Sequence, residues 1–284
     1  MTLNFFTPRR FKAAPLPFVG QKRQFIRPFG EVLLNNIPND GEGYTIVDVF
    51  GGSGLLAHTA KHLLPKATVV YNDFDNYATR LNHIDDTNRL RRLLFSVLEN
   101  EPRTKVLSAN ARTQVAHIIT HFDGFVDVQT LSGWLLFSGN QVANLEEFLN
   151  ERWYNRIKKS DYADPTGYLD GLVITHNDYL TTLEKYKDTP NCVLLLDPPY
   201  LCSSQGAYAK ANYFGLTQFL TLMHYVRPPF VFFSSTRSEL LKFMDYLQDY
   251  DSEAWQRLGG FKNIRIKASV NYNSVYEDNM LIKF

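Results

Sequence analysis

The chain has 284 residues, of which 44% are hydrophobic and 21% are charged, as expected for a globular protein with a sizeable core. Its formal net charge of +1 is far below that of a protein that coats nucleic acid non-specifically. The charge therefore neither indicates nor excludes a DNA partner, because a local basic patch suffices for phosphate contacts.

The first region of the chain has the pattern of a βαβ unit. Residues 45–50 form a short apolar run rich in β-branched side chains, glycines follow within 51–54, and residues 55–64 have helical spacing. A second apolar run, at 68–71, is followed by an acidic residue, Asp73. Strand, helix and strand of these lengths predict a parallel sheet.

The second region, residues 76–165, has few strand signals. Its periodicity predicts helices over residues 81–98, 108–122 and 145–157. An aromatic stretch at 131–137 has no clear period, and its structure stays open. The pattern is typical of a helical insert in an α/β protein.

The α/β pattern resumes after the insert. The periodicity predicts buried strands at 171–175, 192–196 and 230–234, helices at 219–226 and 238–247, and an antiparallel edge at 264–268 and 279–284. We therefore predict a doubly wound, Rossmann-like α/β domain made of residues 1–75 and 166–284, interrupted by a mainly helical domain at 76–165.

The glycine turn after the first strand is a candidate ligand site. Gly52 and Gly54 let the backbone turn tightly and approach a ligand, and the following helix offers free N–H groups and a partial positive charge. Asp73, at the end of the second strand, is placed to accept hydrogen bonds from ribose hydroxyls. A nucleotide-like cofactor with a carboxylate or a pyrophosphate fits this turn, and NAD stays a competitor at this point.

The most informative motif is Asp197-Pro198-Pro199-Tyr200, directly after the apolar run at 192–196. The two prolines fix the backbone and remove two N–H donors, which leaves the Asp197 carboxylate and the Pro198 carbonyl as rigid acceptors. Two acceptors suit the two hydrogens of an exocyclic base amine, whose lone pair they would free from the ring. The Tyr200 ring would stack on the base. The motif therefore predicts methyl transfer to a base amine by in-line displacement on a methyl sulfonium.

With these residues in place, the chain resembles the DNA N6-adenine methyltransferases of the Dam type, the D12 class. Four pieces carry the resemblance in the family's order. They are Phe18-Val19-Gly20-Gln21-Lys22-Arg23 for the W-A-G-G-K-R element, Asp48-Val49-Phe50-Gly51-Gly52-Ser53-Gly54 for the E-P-F-V-G-G-G loop, Asn72-Asp73 for the acidic second-strand motif, and an unmodified D-P-P-Y. Ser53 stands where a glycine is usual. Asn177-Asp178-Tyr179 resembles a further motif, whose acid meets the adenine of the cofactor.

The resemblance implies a reaction and roles for individual residues. It implies transfer from S-adenosylmethionine to adenine N6 in double-stranded DNA, as in restriction–modification, with S-adenosylhomocysteine as the product. The motif at 197–200 would be catalytic, and the insert would recognise the target. The residues that would contact the cofactor are Phe18, Lys22, Asp48, Phe50, Gly52, Gly54, Asp73 and Asp178.

A base in duplex DNA must leave the helix to reach a buried pocket. The candidate phosphate contacts are Arg89, Arg92, Lys158 and Lys159, which are equally well interpreted as solvated helix faces. Two aromatic residues in the segment after the D-P-P-Y motif, Tyr208 and Tyr213, are candidates for stacking on the extruded base.

Three alternatives stay open. An RNA adenine N6-methyltransferase would use the same D-P-P-Y chemistry. A catalytically silent DNA-binding relative would bind cofactor without transfer. A protein-glutamine methyltransferase is disfavoured, because that family prefers asparagine at the position of Asp197.

Two further expectations concern metals and location. His58 and His62 lie four residues apart, and a solvated helix face is a better interpretation than a metal pair, so no metal is predicted. Cys192 and Cys202 lack ligand or disulfide spacing, and residues 1–12 lack the apolar core of a signal peptide. Because no apolar run is long enough to span a bilayer, we expect a cytoplasmic protein.

Overall fold

The computed structural model describes residues 10–201, 214–235, 238–271 and 274–284. Its strands are β1 Thr45–Asp48, β2 Thr68–Asn72, β3 Leu172–Thr175, β4 Cys192–Leu196, β5 Phe230–Ser235, β6 Lys262–Asn271 and β7 Ser274–Lys283. They form one sheet in the order β3-β2-β1-β4-β5-β7-β6. The first five are parallel, and β7 runs antiparallel to β5 and β6. The predicted α/β class and antiparallel edge are confirmed.

Some of the helices cover the sheet, and others form the second region, residues 76–165. They are α1 Ile26–Asn36, α2 Leu55–Leu63, α3 Tyr77–Asn82, α4 Ile84–Leu98, α5 Ala109–Thr120, α6 Val128–Leu135, α7 Leu145–Asn150, α8 Tyr179–Tyr186, α9 Leu216–Tyr225, α10 Leu240–Tyr250 and α11 Ser252–Leu258. Across the described ranges, none of these helices combines the length and apolar character needed to cross a membrane.

Both faces of the sheet are covered by helices. Ile46 of β1 and Val193 of β4 are fully buried in an apolar cluster that includes residues of α1 and α2. Val47 and Leu194, their neighbours along the strands, belong to a second cluster with residues of α9 and α10. Coverage on both faces explains why the parallel strands are almost uninterrupted apolar runs.

The second region has an apolar cluster of its own. Side chains from α4 to α7 and from the segment that follows α7 form it, and its fully or almost fully buried members include Leu94, Val115, Leu135, Phe148 and Trp153. A separate cluster is what a distinct helical unit requires. The boundaries of 76–165 for an inserted domain stay a prediction.

The predicted helix over 145–157 is wrong beyond Asn150, where α7 ends. Trp153, Asn155 and Ile157 are buried alternately, which is the period of extended backbone and not that of a helix. Tyr154 forms an isolated antiparallel bridge with Val106. The backbone from Trp153 to Ile157 therefore continues after α7 as an extended segment.

Three other predictions need correction. The single helix over 81–98 is two helices, because the backbone of His83 leaves the helical region between α3 and α4. The strand predicted as buried at 171–175 is an edge strand, with Val173 45% exposed. His58 is buried and not on a solvated face, because its Nε2 accepts the Phe11 amide at 3.0 Å. The undecided stretch at 131–137 lies largely in α6.

Candidate active site

A cavity of about 250 Å³ opens at the carboxyl ends of the central strands. The strand order reverses between β1 and β4, and ligands of doubly wound sheets bind at such a switch point. Three segments that are far apart in the sequence line the cavity: 18–22, the glycine turn at 49–53, and 197–200. The remaining lining residues are Leu55, Leu56, Asn72, Phe74, Asp75 and Tyr179.

The glycine turn has a backbone that other residues would strain. Gly52 and Gly54 have φ of 49° and 72°, in the left-handed region that favours glycine. A Cβ at Gly51 would overlap the Tyr71 ring. The Tyr71 hydroxyl donates to the Gly52 carbonyl at 2.7 Å, so the ring cannot move aside without breaking this bond. The turn is therefore rigid where it faces the cavity.

We expect Gly51→Ala to lower the melting temperature, because the added methyl group must displace a buried ring. Overpacking of this kind costs about 1–3 kcal/mol. Gly133→Ala is the matched control, since a Cβ there would meet no atom within 4 Å and alanine favours the α6 helix. Calorimetry of both variants tests the expectation, and equal melting temperatures would contradict it.

The D-P-P-Y motif brings Asp197 to an ammonium group from the amino-terminal segment. Lys22 Nζ lies 2.5 Å from Asp197 Oδ2, and it also donates to the Gly20 carbonyl at 2.9 Å. The two side chains are only 11% and 19% exposed. Burial raises the pKa of Asp197 above its usual value, and the charge and hydrogen bond of Lys22 offset part of that rise. Lys22 therefore favours the ionised, hydrogen-bond-accepting form of the carboxylate.

A second carboxylate, Asp48, lies fully buried at the end of β1. Neither of its oxygens has a hydrogen-bond partner within the described residues. Burial and, to a smaller extent, the negative charge of Asp197 raise its pKa to about 7. The backbone amide of Ala57 and the Lys22 ammonium act in the opposite direction. Asp48 does not itself line the cavity, but the next residue, Val49, does. A fully buried carboxylate so close to the cavity wall suits a cation or a hydrogen-bond donor from a ligand.

Aromatic rings form two walls of the cavity. Phe50 and Tyr179 stack with centroids 5.7 Å apart and an interplanar angle of 19°. Phe18 covers the glycine turn, since a Cβ at Gly52 would lie 2.9 Å from its ring. Flat apolar surfaces beside a few polar groups suit a heteroaromatic ring.

Asn72 holds three strand ends together, a role that the sequence analysis missed. Its side-chain amide donates to the carbonyls of Val49 and Asn177, at 3.0 and 2.8 Å. Its Oδ1 accepts from the Asn177 amide at 2.9 Å and the Thr175 hydroxyl at 3.0 Å. A polar residue that ends an apolar strand was the signal that could have found it.

The structure places Asp73 away from the cavity, in contrast to its predicted role at the ribose. Its buried carboxylate accepts the amides of Tyr77 and Ala78, at 2.6 and 2.8 Å, and the Tyr71 hydroxyl at 3.0 Å. Because α3 begins shortly after β2, the free amides of its first turn occupy this carboxylate. Asp75, two residues further on, lines the cavity instead.

Asp178 also caps a helix and does not line the cavity. It accepts the amides of Leu180 and Thr181, both at 3.0 Å, at the start of α8. Its neighbour Tyr179 lines the cavity in its place. Gly54, the residue before α2, and the fully buried Asp48 are also absent from the wall, whereas Phe18, Lys22, Phe50 and Gly52 belong to it.

The basic residues predicted to contact phosphates are largely engaged within the protein. Arg89 pairs with Asp86 at 2.9 Å. Arg92 pairs with Asp161 at 2.6 Å, and Lys158 donates to the Asp161 carbonyl at 2.9 Å. Internal pairing of this kind reduces the charge that can act on a nucleic acid.

The other candidate contacts give less information. Lys159 is exposed on the surface of the second region. Tyr208 and Tyr213 lie outside the described residues. The part of the chain that the structure describes contains no cluster of three His, Cys, Asp or Glu that could hold a metal ion.

A larger depression of about 920 Å³ adjoins the cavity, and we call it the outer groove. It shares Phe18, Gly20, Gln21, Lys22 and Tyr200 with the cavity wall. Its own lining consists of Lys12, Pro17, Arg23, Gln24, Phe25 and Asp278. The cavity therefore adjoins a groove whose lining includes three basic residues, Lys12, Lys22 and Arg23.

Comparison with known proteins supports a specific class for this fold and site. No family model matches the chain. A protein of Haemophilus influenzae (strain ATCC 51907 / DSM 11121 / KW20 / Rd) named "Putative methyltransferase" is 47% identical over 277 residues, which cover 97% of this chain and 94% of that protein. The Rossmann-like sheet, its switch-point cavity and this similarity define a methyltransferase. The chain belongs to the same family as the Haemophilus influenzae protein.

The general part of the sequence-based prediction, an enzyme that transfers a methyl group, is therefore confirmed. Membership of the Dam-type class and adenine in DNA as the target stay predictions.

Proposed function

We propose that the protein transfers the methyl group of S-adenosylmethionine to N6 of adenine in double-stranded DNA. The observation that carries this proposal is the position of Asp197 and Pro198, which line the same cavity as the glycine turn. A methyl donor bound at the glycine turn and an amine held by Asp197 and Pro198 would therefore lie in the same cavity.

The residues around the cavity fit this cofactor. The unpaired carboxylate of Asp48 would hold its ammonium group, and Asp75 would accept from its ribose hydroxyls. The stacked rings of Phe50 and Tyr179 would pack against its adenine. When bound, the cofactor supplies an activated methyl group on a sulfonium, so the protein need not form a covalent intermediate.

The chain's own contribution is to hold and activate the target amine. Asp197 and the Pro198 carbonyl would accept its two hydrogens, which frees the nitrogen lone pair to attack. As the new N–C bond forms and the S–C bond breaks, the amine must lose one proton. The Asp197 carboxylate, favoured in its ionised form by Lys22, is the acceptor at the site. Tyr200 and Phe18 would hold the flipped base in plane.

The outer groove is the proposed path of the DNA strand next to the flipped base. Replacing Lys12 or Arg23 with alanine is expected to weaken DNA binding for all sequences alike, because phosphate contacts carry no sequence information. The slope of log affinity against log salt should fall by about 1 for each phosphate that is no longer neutralised. Arg92→Ala is the control, since Arg92 is also exposed but already pairs with Asp161. Fluorescence anisotropy across a salt series measures the slopes, and equal decreases in all three variants would contradict this path.

The function is tested by offering a radiolabelled methyl group on S-adenosylmethionine to duplex DNA, RNA and a protein extract in parallel. Nucleoside mass spectrometry of the labelled product is expected to show N6-methyladenine from DNA. Faster labelling of RNA would replace the proposal with the RNA alternative. Cofactor binding without transfer to any acceptor would support the silent DNA-binding relative.

A further inference from the structure

A buried arginine of α3 joins three separate segments of the chain. Arg80 is 5% exposed, and its Nε donates to both carboxylate oxygens of Asp127, at 3.1 and 3.0 Å. Its Nη1 donates to Gln129 Oε1 at 2.6 Å. Its Nη2 donates to the Pro17 carbonyl at 2.9 Å and lies 3.3 Å from the Thr130 hydroxyl. One guanidinium thus connects the start of α6 with the backbone just before Phe18.

The acceptor on the helical side is itself held in place. Asp127 is the N-cap of α6, where it accepts the Thr130 amide at 3.2 Å and the Thr130 hydroxyl at 2.6 Å. Its carboxylate therefore has a fixed position for Arg80 to bind. Only the planar, five-donor guanidinium can satisfy these acceptors at once, because a lysine ammonium is a single point charge with three donors.

The same segment is also bound to α3 by an adjacent tyrosine. The Tyr77 hydroxyl donates to the Leu16 carbonyl at 2.8 Å and accepts the Leu16 amide at 2.9 Å. The Tyr77 ring meets Phe18 edge-on with centroids 5.8 Å apart, and the Arg80 guanidinium lies 5.1 Å from the centre of the Tyr77 ring. Residues 16–18 are therefore fixed at consecutive positions, immediately before the part of the chain that enters the cavity.

We propose that Arg80 is a positioning residue, which ties residues 16–18 to Asp127 and thereby sets where Phe18 and Lys22 stand in the cavity wall. This inference rests on the proposed role of the Lys22–Asp197 pair. Arg80, Asp127 and Tyr77, which do not line the cavity, would thereby connect the helical region to Lys22 and so to Asp197.

The pKa of Asp197 depends on the position of Lys22, and therefore on the position of residues 16–18. Within the described residues, the charged groups that act on or face Asp197 are Lys22, Asp48 and Asp278, and Lys22 is the positive one among them. The Lys22 ammonium lowers the pKa of Asp197 at a separation of 2.5 Å. If residues 16–18 lose their connection to Asp127, Lys22 moves away and the pKa of Asp197 rises.

The experiment is a titration of Asp197 in the ligand-free protein by carboxyl-carbon NMR, with the signal assigned from Asp197→Asn. Arg80→Lys keeps the positive charge but loses the forked N–H donors of the guanidinium. It is expected to raise the pH at the midpoint of the Asp197 titration. Arg91→Lys is the matched control, because Arg91 is similarly buried but bonds Asp161 and the 158–159 backbone. In a Lys22→Met background, Arg80→Lys should produce no further shift.

These outcomes separate positioning from general destabilisation. An upward shift that is specific to Arg80→Lys and depends on Lys22 supports the inference. Equal shifts in Arg80→Lys and Arg91→Lys, or an unchanged Asp197 in a folded Arg80→Lys protein, would overturn it. If Arg80→Lys fails to fold, Asp127→Asn is the second variant, since an asparagine still caps α6 while the ion pair is removed.

The titration needs no substrate, so it is independent of the proposed target. A wild-type protein that transfers nothing to DNA but shows the Arg80-dependent shift would disprove the proposed function alone. With the true acceptor, Arg80→Lys should lower the maximal transfer rate by up to about 10²-fold, the effect of a small misplacement, while acceptor affinity changes little.

Discussion

Replacing Asp197 with alanine is expected to lower the rate of methyl transfer by on the order of 10²–10³-fold, the usual effect of deleting one preorganised group that stabilises a transition state. The variant keeps the cavity but loses the acceptor that orients the amine and receives its proton. Cofactor affinity should change less than the transfer rate, because in the proposed function Asp197 holds the target amine while Asp48 and Asp75 hold the cofactor. Single-turnover transfer and calorimetric cofactor titration measure the two quantities.

Asp188→Ala is the control for this substitution. Asp188 is an exposed carboxylate near the opposite end of β4, so its removal tests the loss of an acid close to the same strand without touching the cavity. A folded Asp197→Ala protein with full activity would show that another group holds the amine.

Replacing Asp48 with asparagine is expected to abolish a large pH dependence of stability. The folded protein keeps a proton on Asp48 up to about pH 7, whereas the unfolded chain releases it near the ordinary value of 3.8. The unfolded state therefore binds fewer protons between these values, and the wild type loses stability as pH rises through this window. A pKa change of this size corresponds to about 4 kcal/mol.

Urea unfolding at pH 5 and pH 8 tests this expectation. From pH 5 to pH 8 the free energy of unfolding of the wild type should fall, and that of Asp48→Asn should fall much less. Asp188→Asn should follow the wild type. S-adenosylmethionine should stabilise the wild type more than Asp48→Asn at pH 8, because only a carboxylate can pair with its ammonium. Parallel curves for the wild type and Asp48→Asn would show that Asp48 is not protonated in the folded protein.

Much of the architecture could be predicted from local pattern alone. The apolar runs that became β1, β2, β4 and β5 are buried on both faces, so nothing polar interrupts them. The D-P-P-Y motif marks the end of β4 because two consecutive prolines cannot continue a strand in the middle of a sheet. Each of these signals is local, because it extends over only a few neighbouring residues. The glycine turn and the D-P-P-Y motif, each predicted to follow a strand, both line the cavity.

The structure differs from the expectations where a distant partner determines the position of a residue. Asp73 and Asp75 are both acidic residues after β2, and only the start of α3 decides that the first becomes a cap. Arg80 and Asp127 are 47 positions apart, so no local pattern predicts their pairing. The segment after α7 has helix-like spacing in the sequence, and the buried alternation of Trp153 and Asn155 becomes visible only once the cluster beneath it is known.

The order of the sheet has a consequence for incompletely folded chains. β1 and β4 are neighbours in space, yet the whole second region separates them in the sequence. A chain whose helices α4 to α7 have packed, but in which β4 has not yet docked beside β1, has only one half of the cavity. In the proposed function, a cofactor that touches both halves would bind only completely folded molecules and would add its binding free energy to their stability. Partly folded copies have no complete site and compete for neither cofactor nor target.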